Sequence, residues 1–471
     1  MTTEMFIAVL GLVGAVIMFT SLMSGWVERA NLPQVAIFLL LGAVLGPASL
    51  GLMDVGLESP VLRVVATLGL ALVLFTDAVT LNFGEVGRRL RLATLILGPG
   101  TLIAAAVIAL LARWLLGLDW ASAFVLAAPV ASTDPVMLRG LLRRKDIPAD
   151  ARTALRLESG LNDIVLLPIL LIAMAFVPGV SASDGIGTLV LSLFVLGPGA
   201  GIAVGLLAVV LLRFARRRIG VRRDYESIYS LGVCFSSFAA AEALHGSGFL
   251  AAFFAGVVIA RLDDDLCDCF VEYGETTAEM LLMFTFVLLG GSLIWAGIGS
   301  LTPALIAFVV LALCTRPIVL LAALAREKMD TRSRMLITWF GPRGLSALLL
   351  ALVPAFAGVP GADRLFAICG LVVLLSVIVH GGSVMFLGKR NPAPASELLR
   401  VSAKAGAEPD LLITAESVPG DARLADVRSA KSYHESPHRL LGAVRLDPEH
   451  PVRDAQRHGL RPEAWIALFC T

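Results

Sequence analysis

Side chains that could do chemistry are scarce inside the long apolar runs of this sequence, and they fall at few places. Asp77 sits in one run, Thr133 and Asp134 in a second, and Glu158, Ser159, Asn162 and Asp163 in a third; Arg316 and Arg343 follow much later. An ionisable group held in a bilayer costs about 2.5–3.5 kcal/mol on insertion scales, so each is a candidate functional residue. At about 100° per residue of a helix, Ser159 and Asp163 share one face, and Glu158 and Asn162 share a neighbouring one. The two carboxylates therefore serve different surroundings and do not form a dyad. A lone carboxyl kept from water holds a proton more readily than a solvated one. Once ionised, with serine and backbone oxygens around it, it suits a hard cation. Glu158 requires a countercharge, and Arg316 is the best candidate, because a stranded buried charge is costly.

Two helix breaks could position these groups. Ala128-Pro129-Val130-Ala131-Ser132-Thr133-Asp134-Pro135 carries two prolines six apart, and Phe340-Gly341-Pro342-Arg343-Gly344 carries a third. Each proline removes a backbone donor and clashes with a preceding carbonyl. In lipid such a break survives only against protein or a water-filled cavity. The breaks lie in the fifth and twelfth apolar runs, an odd number apart, so their helices run in opposite directions. Paired breaks in antiparallel halves point to inverted repeats with a site where the broken helices cross.

The composition requires a membrane. Of 471 residues, 57% are hydrophobic and 16% charged, against roughly 45–50% and about 25% in soluble domains. The net charge of +1 gives nucleic acid no support. Apolar runs between breakers predict thirteen spans, at 5–26, 33–51, 60–80, 93–116, 119–141, 157–177, 187–213, 226–244, 247–261, 277–296, 301–325, 335–355 and 364–387. Met1-Thr2-Thr3-Glu4 lacks the basic stretch of a cleaved leader, so the first run is expected to be a true helix. Arginine and lysine crowd the loops after the third, fifth, seventh and eleventh spans, as in Arg213 to Arg223, while even-numbered spans end in nearly uncharged turns. By the positive-inside rule the N-terminus lies outside and the C-terminus in the cytoplasm.

The expected division is a membrane domain over 1–390 and a cytoplasmic tail over 391–471. The tail mixes both charge signs and holds His434, His438, His450 and His458, whose spacing matches no metal motif. It is expected to be partly ordered, with solvated histidines. Asp263-Asp264-Asp265-Leu266-Cys267-Asp268-Cys269 reads as an acidic solvated loop. The six cysteines form no secreted-type framework. His245-Gly246-Ser247 and His380-Gly381-Gly382-Ser383 lie at helix ends among glycines, which favours turns over a serine hydrolase.

Ser132-Thr133-Asp134-Pro135-Val136, Glu158-Ser159-Gly160-Leu161-Asn162-Asp163, Thr315-Arg316-Pro317 and Gly341-Pro342-Arg343-Gly344 resemble, in order, the motifs of the CPA1-class monovalent cation:proton antiporters, the NhaP-like family. The likeness covers roughly residues 5–390. The Asn162-Asp163 pair separates this class from relatives with Asp-Asp, which are typically electrogenic. The resemblance implies that Asp163 alternates between a cation, Na⁺ or K⁺, and a proton, in electroneutral one-for-one exchange. It implies that Asp134, Ser159 and the Thr133 carbonyl join the ion shell, that Asn162 holds the unwound fifth helix through Thr133, and that Glu158 pairs with Arg316. Asp77 stands where the family usually has a glutamate; being shorter, it leaves direct ligation and a bridging water both open. Arg343 is expected to shape its break and not to ligate. No cofactor is implied, and a homodimer is. The rival is a sodium-coupled symporter of a small organic anion on a similar inverted fold, which would need anion-binding donors that this sequence barely supplies.

Overall fold

The computed structural model of the chain describes residues 34–383, apart from 264–276 and several shorter gaps, a few positions before 34, and residues 423–426, 444–446 and 466–469. The expected span at 5–26 lies almost wholly outside the described residues, and that at 277–296 is described in part. The chain divides into two compact units, Met1–Arg390 and Asn391–Thr471.

Among the described residues, the regular elements of the first unit are all helical. α1 (Gln34–Leu45) and α2 (Pro60–Val79) are followed by α3 (Leu90–Leu95), which winds through a π-helical stretch around Pro99 into α4 (Ala104–Leu116). α5 (Trp120–Ala131) and α6 (Pro135–Leu142) are the halves of one broken helix, and α7 (Ala149–Ala175) is the longest element. α8 (Ile186–Leu191) continues through a second π-helical stretch into α9 (Gly197–Arg218), followed by α10 (Arg223–Ala243) and α11 (Gly248–Leu262). A 3₁₀ turn (Leu293–Ser300) leads to α12 (Pro303–Ala323); α13 (Thr331–Trp339) and α14 (Leu345–Phe356) are the halves of the second broken helix, and α15 (Ala362–Ser376) continues into a π-helical stretch, Val377–Gly381. Among the described residues, six helical runs are long and apolar enough to cross a membrane: Pro60–Val79, Arg91–Leu116, Asp150–Ala175, Ile186–Arg218, Pro303–Ala323 and Ala362–Gly381. α5 and α14 are apolar but too short to span alone, as halves of broken helices must be.

Local chemistry sets the helix ends. Asp119, Ser247, Thr302 and Asp330 cap α5, α11, α12 and α13 by accepting from the backbone N–H three residues on. Gly117 ends α4 in the left-handed conformation that glycine adopts freely. Small residues let helices approach backbone to backbone. Gly197, Gly201 and Gly205, four apart on α9, lie against Ser247, Ala251 and Ala255, and Gly42 of α1 and Gly46 just past it lie against Gly290 and Gly291. Within lipid, where apolar surface gains little from meeting apolar surface, such close packing is a main source of helix association.

At the end of this α9–α11 seam, Arg216 joins Glu226 of α10 at 2.7 Å and Asp263, just past α11, at 3.0 Å. The rest of the acidic run, 264–269, lies outside the described residues. Cys234 and Cys369 are buried free thiols and Cys314 is exposed. The turn serine Ser247 serves as a cap, and Ser383 donates to the Val379 carbonyl. His380 bonds Ser376 on its own helix.

The second unit contains a three-stranded parallel sheet, β1 (Arg423–Asp426), β2 (Val444–Arg445) and β3 (Ile466–Phe469), in the order β2-β1-β3, with Arg423 opposite Ile466 and Ala425 opposite Val444. The sequence suggested no strands there. His434, His438, His450 and His458 lie outside the described residues.

Candidate functional site

The site forms where the two broken helices meet. Proline disfavours helical geometry in the residue before it and clashes with the carbonyl four back. Pro135 therefore leaves Ser132, Thr133 and Asp134 unwound, and Pro342 leaves Phe340 to Gly344 unwound. The two strands of loose backbone touch: the Asp134 N–H donates to the Pro342 carbonyl at 2.9 Å.

Each break caps the other. The Asp134 carboxylate accepts from the Leu345 N–H at 2.7 Å, placing a negative charge on the N-terminus of α14. Arg343 Nε donates to the Val130 carbonyl at 2.7 Å, placing a positive charge on the C-terminus of α5, and Nη1 donates to the Gly341 carbonyl at 2.6 Å. Both signs match the helix dipoles. The Arg343 N–H takes Ser376 Oγ at 2.7 Å, while its Nη2 has no partner. The glycines are required by charge: a Cβ at Gly344 would strike the Asp134 carboxylate, and one at Gly341 the Arg316 guanidinium.

α7 passes beside both breaks and supplies the remaining groups on separate faces. Glu158 is doubly bonded to Arg316 of α12, with Nε to Oε1 at 2.6 Å and Nη2 to Oε2. The same guanidinium donates to the Thr338 and Ile337 carbonyls at 2.9 and 3.0 Å. Thr338 is four residues before Pro342, so Arg316 satisfies the carbonyl that the proline leaves orphaned. Asn162 Nδ2 donates to Thr133 Oγ1 at 2.6 Å, holding the first break against α7.

Asp163, only 1% exposed, accepts from Ser132 Oγ at 2.6 Å through Oδ1, and its Oδ2 has no hydrogen-bond donor. Ser346, in the first turn of α14, and the Asp134 charge also act on this carboxyl. Ser159 is buried too, but its hydroxyl donates to the Arg156 carbonyl at 3.4 Å, one turn back in α7. Asp77 sits partly buried in α2, which packs on both α7 and α14.

The structure thus joins Glu158 with Arg316 and Asn162 with Thr133, and sets Asp134 and Arg343 at the ends of crossing helices. Two site residues escaped the sequence reading. Ser132 and Ser346 stand beside Asp163, each the kind of hydroxyl that apolar runs use for packing; the adjacency of Ser132 to Thr133 in the unwound stretch was the available signal. Among the named residues, two arginines face four acids, and both arginines are committed, one to Glu158 and one to a helix end. A buried carboxylate with one open oxygen in an acid-rich setting is suited to binding a cation or a proton.

The described part of the first unit thus combines a helical fold, two mutually capping breaks and a buried Asn-Asp pair. The family model described as "Sodium/hydrogen exchanger, transmembrane" matches residues 15–390, and the chain belongs to that family. It is 27% identical over 364 residues to the K⁺/H⁺ antiporter NhaP of Alkalimonas amylolytica, covering 76% of this chain and 62% of that protein. It is likewise 27% identical over 381 residues to the K⁺/H⁺ antiporter NhaP2 of Shewanella sp. (strain ANA-3), covering 79% and 65%. The chain spans somewhat less than two thirds of the length of these curated relatives. The sodium proton antiporter MjNhaP1 of Methanocaldococcus jannaschii shares the fold, with a TM-score of 0.67 at 20% identity, covering 81% of this chain and all of that one.

Proposed function

We propose that the chain is a secondary active antiporter that exchanges a monovalent cation, Na⁺, K⁺ or both, with Li⁺ as a further candidate, for a proton across the cytoplasmic membrane. The observation that carries the reading is Asp163, buried at the crossing with Oδ2 open while Glu158, Asp134, Arg316 and Arg343 are bonded to one another or to helix ends. A proton or a cation can complete this carboxylate, and each excludes the other. If only the occupied carrier reorients, the two fluxes are obligatorily exchanged, and replacing one charge by one charge makes the exchange electroneutral. Asp134, Ser159, the Thr133 carbonyl and Asp77 are the proposed further contributors to the ion shell, with Asn162, Glu158, Arg316 and Arg343 holding its walls.

The names of the relatives, antiporters of K⁺ or Na⁺ with H⁺, support the substrate class. The loop arginines support an N-terminus outside and a cytoplasmic C-terminus. The assembly proposed is a homodimer. The test uses inside-out vesicles from cells without endogenous antiporters, energised to a pH gradient and given Na⁺, Li⁺ or K⁺ over pH 6.5–9. Wild type should collapse the gradient with at least one cation, and Asp163→Ala with none. No response by wild type to any cation would remove the antiporter reading and shift weight to a sodium-coupled symporter of an organic anion.

A further inference from the structure

We infer that Ser132 is a specificity-determining residue of the ion site, its hydroxyl serving Asp163 as hydrogen-bond donor while offering its own oxygen to the transported cation. The inference rests on the antiporter reading of Asp163 and deepens it.

Three observations carry it. Ser132 is wholly buried, yet it lies in the unwound stretch, where its backbone is extended and its N–H bonds only back to the Pro129 carbonyl. Its hydroxyl makes a short 2.6 Å bond to Asp163 Oδ1 and is aimed at the one carboxylate of the crossing that keeps an open oxygen. A hydroxyl has one proton and two acceptor positions; here the proton goes to Asp163, and no described donor occupies the Ser132 oxygen. Next to it, Thr133 Oγ1 already accepts from Asn162, so that hydroxyl is tied to the helix wall. Ser159, the serine singled out by helical spacing, donates backwards within α7. Of these three hydroxyls, Ser132 is therefore the one bonded to Asp163 Oδ1, with Ser346 of α14 also beside that carboxyl.

The chemistry follows from the two states of Asp163. When the carboxylate is ionised, Ser132 donates a charge-assisted bond to Oδ1, and the lone pairs left on its oxygen are the hard-oxygen kind that a hard cation takes. When Asp163 carries a proton, the same hydroxyl can turn and accept it. Other charged groups bear on this balance. Asp134 of the break acts on Asp163 directly. Asp77 lies on α2, Glu158 on α7 is neutralised by Arg316 of α12, and Arg343 before α14 is directed to the Val130 carbonyl. None of these replaces a donor on Oδ1, so loss of Ser132 weakens the cation in its contest with the proton.

The experiment is the vesicle exchange assay on full-length wild type, Ser132→Ala and Ser132→Thr, measuring KM for Na⁺, K⁺ and Li⁺ and the pH profile. Alanine keeps the fold, since it only removes one oxygen from an extended backbone. Ser132→Ala should raise KM for the transported cation about tenfold, the value of one charge-assisted hydrogen bond, and move the acid limb of the profile up by about one pH unit. Maximal velocity should change far less, the KM ratios among the cations should shift, and Ser132→Thr should restore most of the effect. A fall in velocity with KM and profile unmoved would show a structural role only and overturn the inference. So would an Ser132→Ala protein indistinguishable from wild type. Wild type that exchanges no cation would instead sink the antiporter reading itself.

Discussion

The crossing of the two breaks and the seam between α9 and α11 are both close approaches of backbone, built from opposite materials. At the seam, a Cβ on Gly201 would collide with the Ala251 carbonyl, and one on Gly205 would press on Ala255 and Val258. At the crossing, Gly341 and Gly344 are just as confined, but what confines them is the Arg316 guanidinium and the Asp134 carboxylate. The seam sets backbone against backbone through van der Waals contact, which has one good geometry. The crossing sets backbone against charge, through hydrogen bonds to helix ends. Its carboxylate with an open oxygen, Asp163, is where a proton or a cation can enter. One region frames the molecule and the other is the part whose occupancy can change.

That contrast can be broken most severely at the seam. Gly201→Leu should leave no folded, monodisperse protein on size-exclusion chromatography in mild detergent, because the side chain has only backbone to displace. A normal elution profile would mean that the two helices are not held as closely as described. Asp163→Ala, by contrast, should elute as wild type and lose exchange.

A smaller and graded effect is expected where charge meets charge. Arg316→Met strands Glu158 and frees the Ile337 and Thr338 carbonyls, and breaking a buried pair costs about 3–5 kcal/mol. Adding Glu158→Leu removes the stranded charge and should recover part of the lost thermal stability. A double variant that melts as low as the sum of the two single ones would show that the pair is not coupled.

The sequence made the breaks legible because proline within an apolar run has few interpretations, and Asp163 because a carboxylate there is expensive. It also indicated Glu158 with Arg316, since two buried charges of opposite sign in a poor field of candidates must find each other. What it could not indicate is which helix end each charge would meet. That Asp134 caps α14 and Arg343 caps α5 depends on the crossing, which brings residue 134 beside 345 and residue 343 beside 130. Ser132 was hidden for another reason: at helical spacing from Asp163 the eye finds Ser159, but Ser132 arrives from a different element. In the tail, strands of four residues or fewer amid mixed charge carry no readable alternation, and the parallel sheet went unseen.

The central claim is that one buried carboxylate serves the proton and the cation in turn. It is tested most directly by the KM of wild type for its cation, measured at half-unit steps from pH 9 down to pH 6.5. Competition of one proton with one cation requires the apparent KM to level off at high pH and then to rise about tenfold for each unit of acidification. A KM that stays flat across the range while exchange continues would show that the two ions occupy different sites, and would contradict the role given to Asp163.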